Sequence, residues 1–362
     1  MSATGGSMAE RQSLPPMPRI DWLDYVRLFC AILVMLDHYL VIGPNPAITP
    51  GVSGFGPLTE VVRFGILGVC VFMMISGMMI TFVALRQSAS VFTIGRFARI
   101  YPTFVLCMII TAMLSPLGPP RFYDSWGQML ANLFVYAPAF GYRYVDTVYW
   151  TLVIEIHFYV LMMLVIATGG MRHLQSIVVV WLGLQVISLF IGPQLPLIGR
   201  DYYFISAGVV MALLYERRNE RLNLVLLGIS LLLCLQTSTV YAHAWGYDAS
   251  IAGVLTTGIF AILLLMRGRT LHLPFARRIG SMSYALYLLH FSLGMTIFYW
   301  WMTDANKWPL MLGTCALFIL FAFAVDDLMS FRLRATWRRI AAATVARPLI
   351  WWEGRQARSR AS

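Results

Sequence analysis

The chain has 362 residues, of which 59% are hydrophobic and only 12% charged, with a mean hydropathy of +0.72. A soluble domain carries about 25% charged residues, so this composition excludes a water-covered globule and points to an integral membrane protein. The net charge of +11, from 27 Lys plus Arg against 16 Asp plus Glu, fits cytoplasmic loops that collect basic residues, and no nucleic-acid partner is needed to explain it.

Residues 1–20 are polar and contain SLPPMPR, without the order of a signal peptide, and read as a cytoplasmic tail. Ten apolar segments follow, at 22–43, 61–85, 97–115, 148–168, 173–192, 201–215, 222–241, 247–266, 281–302 and 308–330. The sixth is short and stops abruptly at Glu216. Residues 122–137 are shorter and amphipathic, and predict an interfacial or re-entrant helix. With both termini inside, only four basic residues fall in outer loops (Arg121, Arg143, Arg200 and Lys307), and two, Arg27 and Arg63, fall within helices. All the others lie on the inner side, an asymmetry that a wrong segment count would scramble. The expectation is an all-α polytopic membrane protein of about ten spans. Its membrane domain covers 21–330, and a basic cytoplasmic tail over 331–362 rests on anionic lipid. The five cysteines all sit in apolar runs with no CxxC or Cys/His cluster, so buried thiols are expected and no metal site.

Ionisable groups inside spans are costly and mark function by default. In the first span Asp24, Arg27 and His38 share one face, because eleven residues at about 100° each return within about 20°. Arg27 lies about 8 Å to the inner side of the midplane and His38 about 8 Å to the outer side. His38 reads either as a histidine bonded to a neighbouring helix or as a chemical group. Asp37 falls on the flank and is expected to meet a structural partner on another helix. Arg96 and Arg99, at i and i+3 on the inner boundary of the third span, suit either positive-inside anchoring or a fork for phosphates. In the fourth span Glu155 needs a partner, a proton or a wet cavity, and His157 points about 200° away from it into a structural role. In the ninth, Ser283, Tyr287 and His290 fall within about 40° of one another, a polar stripe that serves either packing or a cavity.

Five blocks in this order carry a resemblance: IDWLDYVRLFCAILVMLDHY at 20–39, GVCVFMMISGMMIT at 68–81, RFARIYP at 96–102, VYWTLVIEIHFYVL at 148–161 and IGSMSYALYLLHF at 279–291. Together they resemble the acyltransferase 3 family of bacterial membrane O-acyltransferases, across about residues 20–330. The chain resembles the stand-alone type, without a soluble esterase-like domain. His157 departs from a Gln-like position beside Glu155, and the outer loop after the third span is long and aromatic, with Trp126, Tyr136, Tyr142 and Tyr144.

The resemblance implies transfer of an acyl group, often acetyl, from acyl-CoA to a hydroxyl of a carbohydrate or glycoside, in the bacterial inner membrane. No permanently bound cofactor is implied; acyl-CoA is the donor substrate. On this reading His38 is the general base and Glu155 orients its imidazole. Arg96 and Arg99 hold CoA phosphates, with Arg27 along the path between. Trp150, Tyr287 and His290 line the substrate cavity, while Asp24 and Ser283 complete the polar stripes. A transporter, or a translocator that feeds a separate transferase, is the alternative that polar stripes also suit.

Overall fold

The computed structural model describes residues 20–120, 125–191 and 195–361. The tail expected over the first nineteen residues, Arg121, and the starts or ends of two expected segments (122–124 and 192) lie outside the described residues. The chain is 80% helical with no strand among the described residues, which makes it all-α. The helices are α1 Asp21–Asp37, α2 Pro57–Val62, α3 Ile66–Ala84, α4 Ala89–Leu114, α5 Trp126–Asn132, α6 Trp150–Ala167 and α7 Leu174–Ile191. They continue with α8 Tyr203–Tyr215, α9 Glu220–Trp245, α10 Ala249–Leu265, α11 Ala276–Trp301, α12 Lys307–Asp326, α13 Arg334–Ala343 and α14 Arg347–Ala361.

All ten expected segments are helical. Eight are long and apolar enough to cross a membrane, among them Asp21–Ile42, Pro57–Ala84, Ala89–Leu117 and Ala276–Trp301. The sixth and eighth are shorter: α8 has 13 residues and α10 has 17. Every residue of α8 from Tyr203 to Leu214 is buried, so other helices rather than lipid surround it. The outside of the bundle shows the reverse, with Phe190, Leu232, Val254, Leu265 and Leu320 all exposed, as lipid-facing positions should be.

Local chemistry sets the helix starts. Ser88 caps α4 by accepting from the Val91 N–H, Ser125 caps α5 at Gln128, and Asp248 caps α10 at Ile251. Asp21 and Asp24 place negative charge at the positive end of α1. The tightest crossing in the fold, α3 against α8, depends on two glycines. A side chain on Gly77 would strike the Ile205 backbone, and one on Gly208 would strike the Met74 backbone.

The core of interest is a ring of five helices, closed by α4 against α11. α1 lies between α11 and α3, while α6 packs on α3 and α4. Asp24 meets Gly280 at one end and His38 meets His290 at the other, so α1 and α11 run in the same direction. The C-terminal segment does not stand apart from the bundle. α13 and α14 fold back along α4, and the Glu353 carboxylate accepts from the Ser90 N–H at 3.0 Å and from its hydroxyl at 2.5 Å.

Candidate active site

A polar column runs through this ring, and its two ends differ in chemistry. At one end stand His38 and His290. His290 Nδ1 faces the carbonyls of Tyr287 at 2.9 Å and Leu286 at 3.1 Å, which can only accept, so this nitrogen carries the proton. His290 Nε2 is therefore an acceptor, and it receives the Nδ1–H of His38 at 2.8 Å. The remaining nitrogen of His38, Nε2, is left with its lone pair. His290 is fully buried, whereas His38 is half-buried. The His38 ring also meets the edge of Phe291, with centroids 4.7 Å apart.

Several contacts fix this pair. The helix widens to a π turn at His38–Ile42, a feature often found where a side chain must be re-aimed. Tyr39, buried, donates to the His290 carbonyl at 2.8 Å. Asp146, in the loop before α6, accepts from the Val148 N–H at 3.1 Å and from the Ser292 N–H at 2.9 Å, tying the start of α6 to α11 two residues past His290. Thr151 donates to the Tyr287 hydroxyl at 3.1 Å, and that hydroxyl donates to the Val148 carbonyl at 3.2 Å.

About one helical turn from the pair, and lined by neither His38 nor His290, is a small cavity of about 20 Å³, room for about one water molecule. Val34 and Tyr287, each about one turn before a histidine, line it together with Phe72, Met73, Thr151 and Glu155. Glu155 is buried and accepts from the Tyr159 hydroxyl at 2.5 Å. The structure does not bring Glu155 to His38: the imidazole's partner is His290 on α11, and α6 packs on α3 and α4 rather than on α1. The expected orienting bond from Glu155 is therefore replaced by one from His290.

At the other end are the arginines. Arg27 pairs with Asp24 at 3.7 Å and lies 5.9 Å from the Phe72 ring centroid. Asp24 in turn occupies the space that a side chain at Gly280 would fill. Arg96 bonds Tyr159 and lies 5.9 Å from the ring centroids of both Phe92 and Tyr159. The Nε atoms of Arg27 and Arg96 are both buried without a hydrogen-bond partner. Arg99 lies within electrostatic reach of Arg27, Tyr159 and Asp326.

Other expected residues go elsewhere. His157 turns away to the Tyr202 hydroxyl at 2.6 Å, consistent with its structural reading. Among the described residues Ser283 bonds only within its own helix, to the Gly280 carbonyl at 2.9 Å. Trp150 does not line the small cavity that Glu155 lines; it lines a separate small pocket with Arg200, Asp201 and Tyr241. Asp37 is buried against Gly65, near Arg63, so its neighbours come from the turn before α3. In the segment between α4 and α6, Trp126, Tyr136 and Tyr142 are exposed and Tyr144 is half-buried.

Sequence reasoning missed Tyr159, Tyr39 and Asp146. Tyr159 stands four residues after Glu155, a spacing that places it on the same face. Asp146 is an isolated acid just before an apolar helix, a capping signal. Nothing local marked Tyr39.

The family whose description reads acyltransferase domain matches residues 20–327 of the chain. The chain belongs to the acyltransferase 3 family. It is thus a multi-pass membrane O-acyltransferase, of a family that generally acts on carbohydrates. No curated protein and no solved structure matches the chain. The family match ends at 327, so α13 and α14 lie beyond it.

Proposed function

We propose that this acyltransferase moves an acyl group, acetyl in the simplest case, from acyl-CoA to a hydroxyl of a carbohydrate or glycoside in the bacterial inner membrane, with His38 as general base. The observation that carries this reading is the directed chain from backbone carbonyls through His290 to His38, which leaves one imidazole nitrogen basic. An acceptor hydroxyl is a weak nucleophile at neutral pH and needs a positioned base as it attacks. In the proposed step the hydroxyl proton passes to His38 Nε2 while the oxygen bonds to the thioester carbonyl carbon. The tetrahedral intermediate collapses, the C–S bond breaks, and the departing CoA sulfur takes the proton back from His38. His290 acts as the positioning partner that a carboxylate supplies in a serine triad, but it holds a tautomer and adds no charge.

Donor binding falls to the opposite end of the column, which we place on the cytoplasmic side. Arginine donates in a planar fork suited to phosphate, and Arg96 and Arg99 sit together there. About eleven residues of α1 separate Arg27 from His38, a rise of about 16 Å, so the donor's long pantetheine arm must lie along the column to present its thioester at the histidines. Glu155, Tyr159 and Tyr287 would line that arm.

The test uses purified protein, labelled acetyl-CoA and surface glycan extracted from a deletion strain. Wild type should release CoA only when the acceptor is present, and His38→Ala should lower that release about 10²- to 10⁴-fold while the protein stays in the membrane. Near-normal release by His38→Ala removes the base assignment. Substrate flux without CoA release makes the protein a transporter instead.

A further inference from the structure

Two stretches of positive charge meet at the arginine end of the column, and the membrane domain contributes only one of them. α13 packs along α4, and α14 is fastened to the start of α4 by Glu353, which bonds Ser88 at 3.3 Å as well as Ser90. Val345, in the link between the two tail helices, shares with Arg96 the wall of an apolar cavity of about 190 Å³. The strongest electrostatic interactions of Arg334 on α13 are with cations: Arg277 of α11, Arg338, and then Arg99 and Arg96 of α4. Arg334 and Arg338 are four residues apart and share a helix face.

What distinguishes these five arginines is the lack of a paired acid, although Glu155 lies in electrostatic reach of Arg96. Among the described residues none of them forms an ion pair with an acid, whereas their neighbours Arg278 and Arg332 share Asp327 at 2.9 and 2.7 Å. Asp326 lies in the field of Arg99, but its Oδ1 is taken by the Ser281 hydroxyl at 2.7 Å. The Arg277 guanidinium lies over the Phe331 ring, 5.4 Å from its centroid. Crowded like charges destabilise a fold unless an anion joins them. Desolvation by the neighbouring helices first, and the other arginines second, lower the pKa of Arg334 from its ordinary value.

We propose that the C-terminal helix α13 completes the donor site, with Arg334 and Arg338, joined by Arg277, holding the phosphate groups at the nucleotide end of acyl-CoA beside Arg96 and Arg99. The proposal rests on the acyl-CoA reading above. The ligand chemistry fits: a diphosphate and a sugar phosphomonoester together carry about four negative charges near neutral pH. The thioester arm would run up the column, and the nucleotide would lie between α4, α11 and the tail.

Binding of adenosine 3′,5′-bisphosphate and of acetyl-CoA to the full chain in nanodiscs tests this by titration calorimetry. The variants are R334A/R338A, its charge-retaining partner R334K/R338K, and R355A/R358A as a control for loss of tail charge. R334A/R338A should weaken both ligands about tenfold, and the lysine pair should restore part of the loss. Its KM for acetyl-CoA should rise likewise with kcat kept, and its preference over 3′-dephospho-acetyl-CoA should shrink. Both arginines are exposed, so an unchanged melting curve should accompany these losses. Wild-type affinity in R334A/R338A overturns the tail's part and leaves the donor reading standing; a wild type that binds neither ligand overturns both. Retention of phosphatidylglycerol in mixed nanodiscs separates the other source of phosphate. If the alanine pair loses that lipid but keeps nucleotide affinity, the arginines serve lipid and the proposal fails.

Discussion

The two ends of the polar column solve opposite problems. At the histidine end each group is already engaged by the protein: His290 by two carbonyls, His38 by His290, Tyr287 by Thr151 and Val148. At the arginine end the polar capacity is left open, with the Nε atoms of Arg27 and Arg96 buried and unpartnered, and with Arg99, Arg277, Arg334 and Arg338 outside any ion pair among the described residues. A group that must react is best held before the substrate arrives. A group that must bind gains most when the ligand supplies the missing partner, since an unsatisfied buried donor costs about 1–3 kcal/mol. Saturation and vacancy thus separate chemistry from recruitment within one bundle.

The strongest way to break this contrast is at His290. His290→Ala leaves the base in place but frees its tautomer, so kcat should fall roughly 10²-fold with the KM for acetyl-CoA unchanged, and His38→Ala on top should add little. Steady-state kinetics of the double-mutant cycle decide it; a rise in KM instead would make His290 a binding residue. Arg99→Ala should do the reverse, raising that KM about tenfold while kcat stays. A loss of kcat with KM intact would place chemistry at the arginine end.

Two smaller effects sharpen the comparison at its margins. Glu353→Gln should loosen the tail from the start of α4, at about 1 kcal/mol as for other caps, and speed limited trypsin cleavage at the tail arginines. The weakest effect is expected at Asp304, outside the spans. The Ser53 hydrogen bond foremost, and then Lys307, hold its carboxyl down to about 2, from 3.8. A depressed carboxyl stabilises the fold above its unfolded pKa, and that contribution fades as pH falls from 3.8 to about 2. Asp304→Asn should therefore lower Tm slightly at pH 6 and make less difference as pH drops below 4; a difference that grows in acid contradicts the clamp.

How much of this was legible in the sequence depends on what kind of fact it was. Helical periodicity placed Asp24, Arg27 and His38 on one face, and turned His157 away from Glu155, because faces follow from spacing alone. It also marked the sixth segment as short, which the 13 residues of α8 bear out. Periodicity does not say which helix a face meets. His38 and His290 lie 252 positions apart, so the bond between them was hidden, and the partner expected of Glu155 is supplied instead by His290. The tail was hard to read for another reason: a basic, tryptophan-bearing segment suits a lipid surface and a protein mouth equally well, and nothing in its sequence shows that α13 packs on α4.

The anchoring of His290 on its own helix has one more consequence. Carbonyl oxygens of a helix have no proton to pass on and no readiness to keep one, so the hydrogen-bond wire behind His38 is a dead end. A proton that enters at Nε2 has a single door. On the proposed mechanism each turnover must therefore close its own acid–base cycle before the next begins.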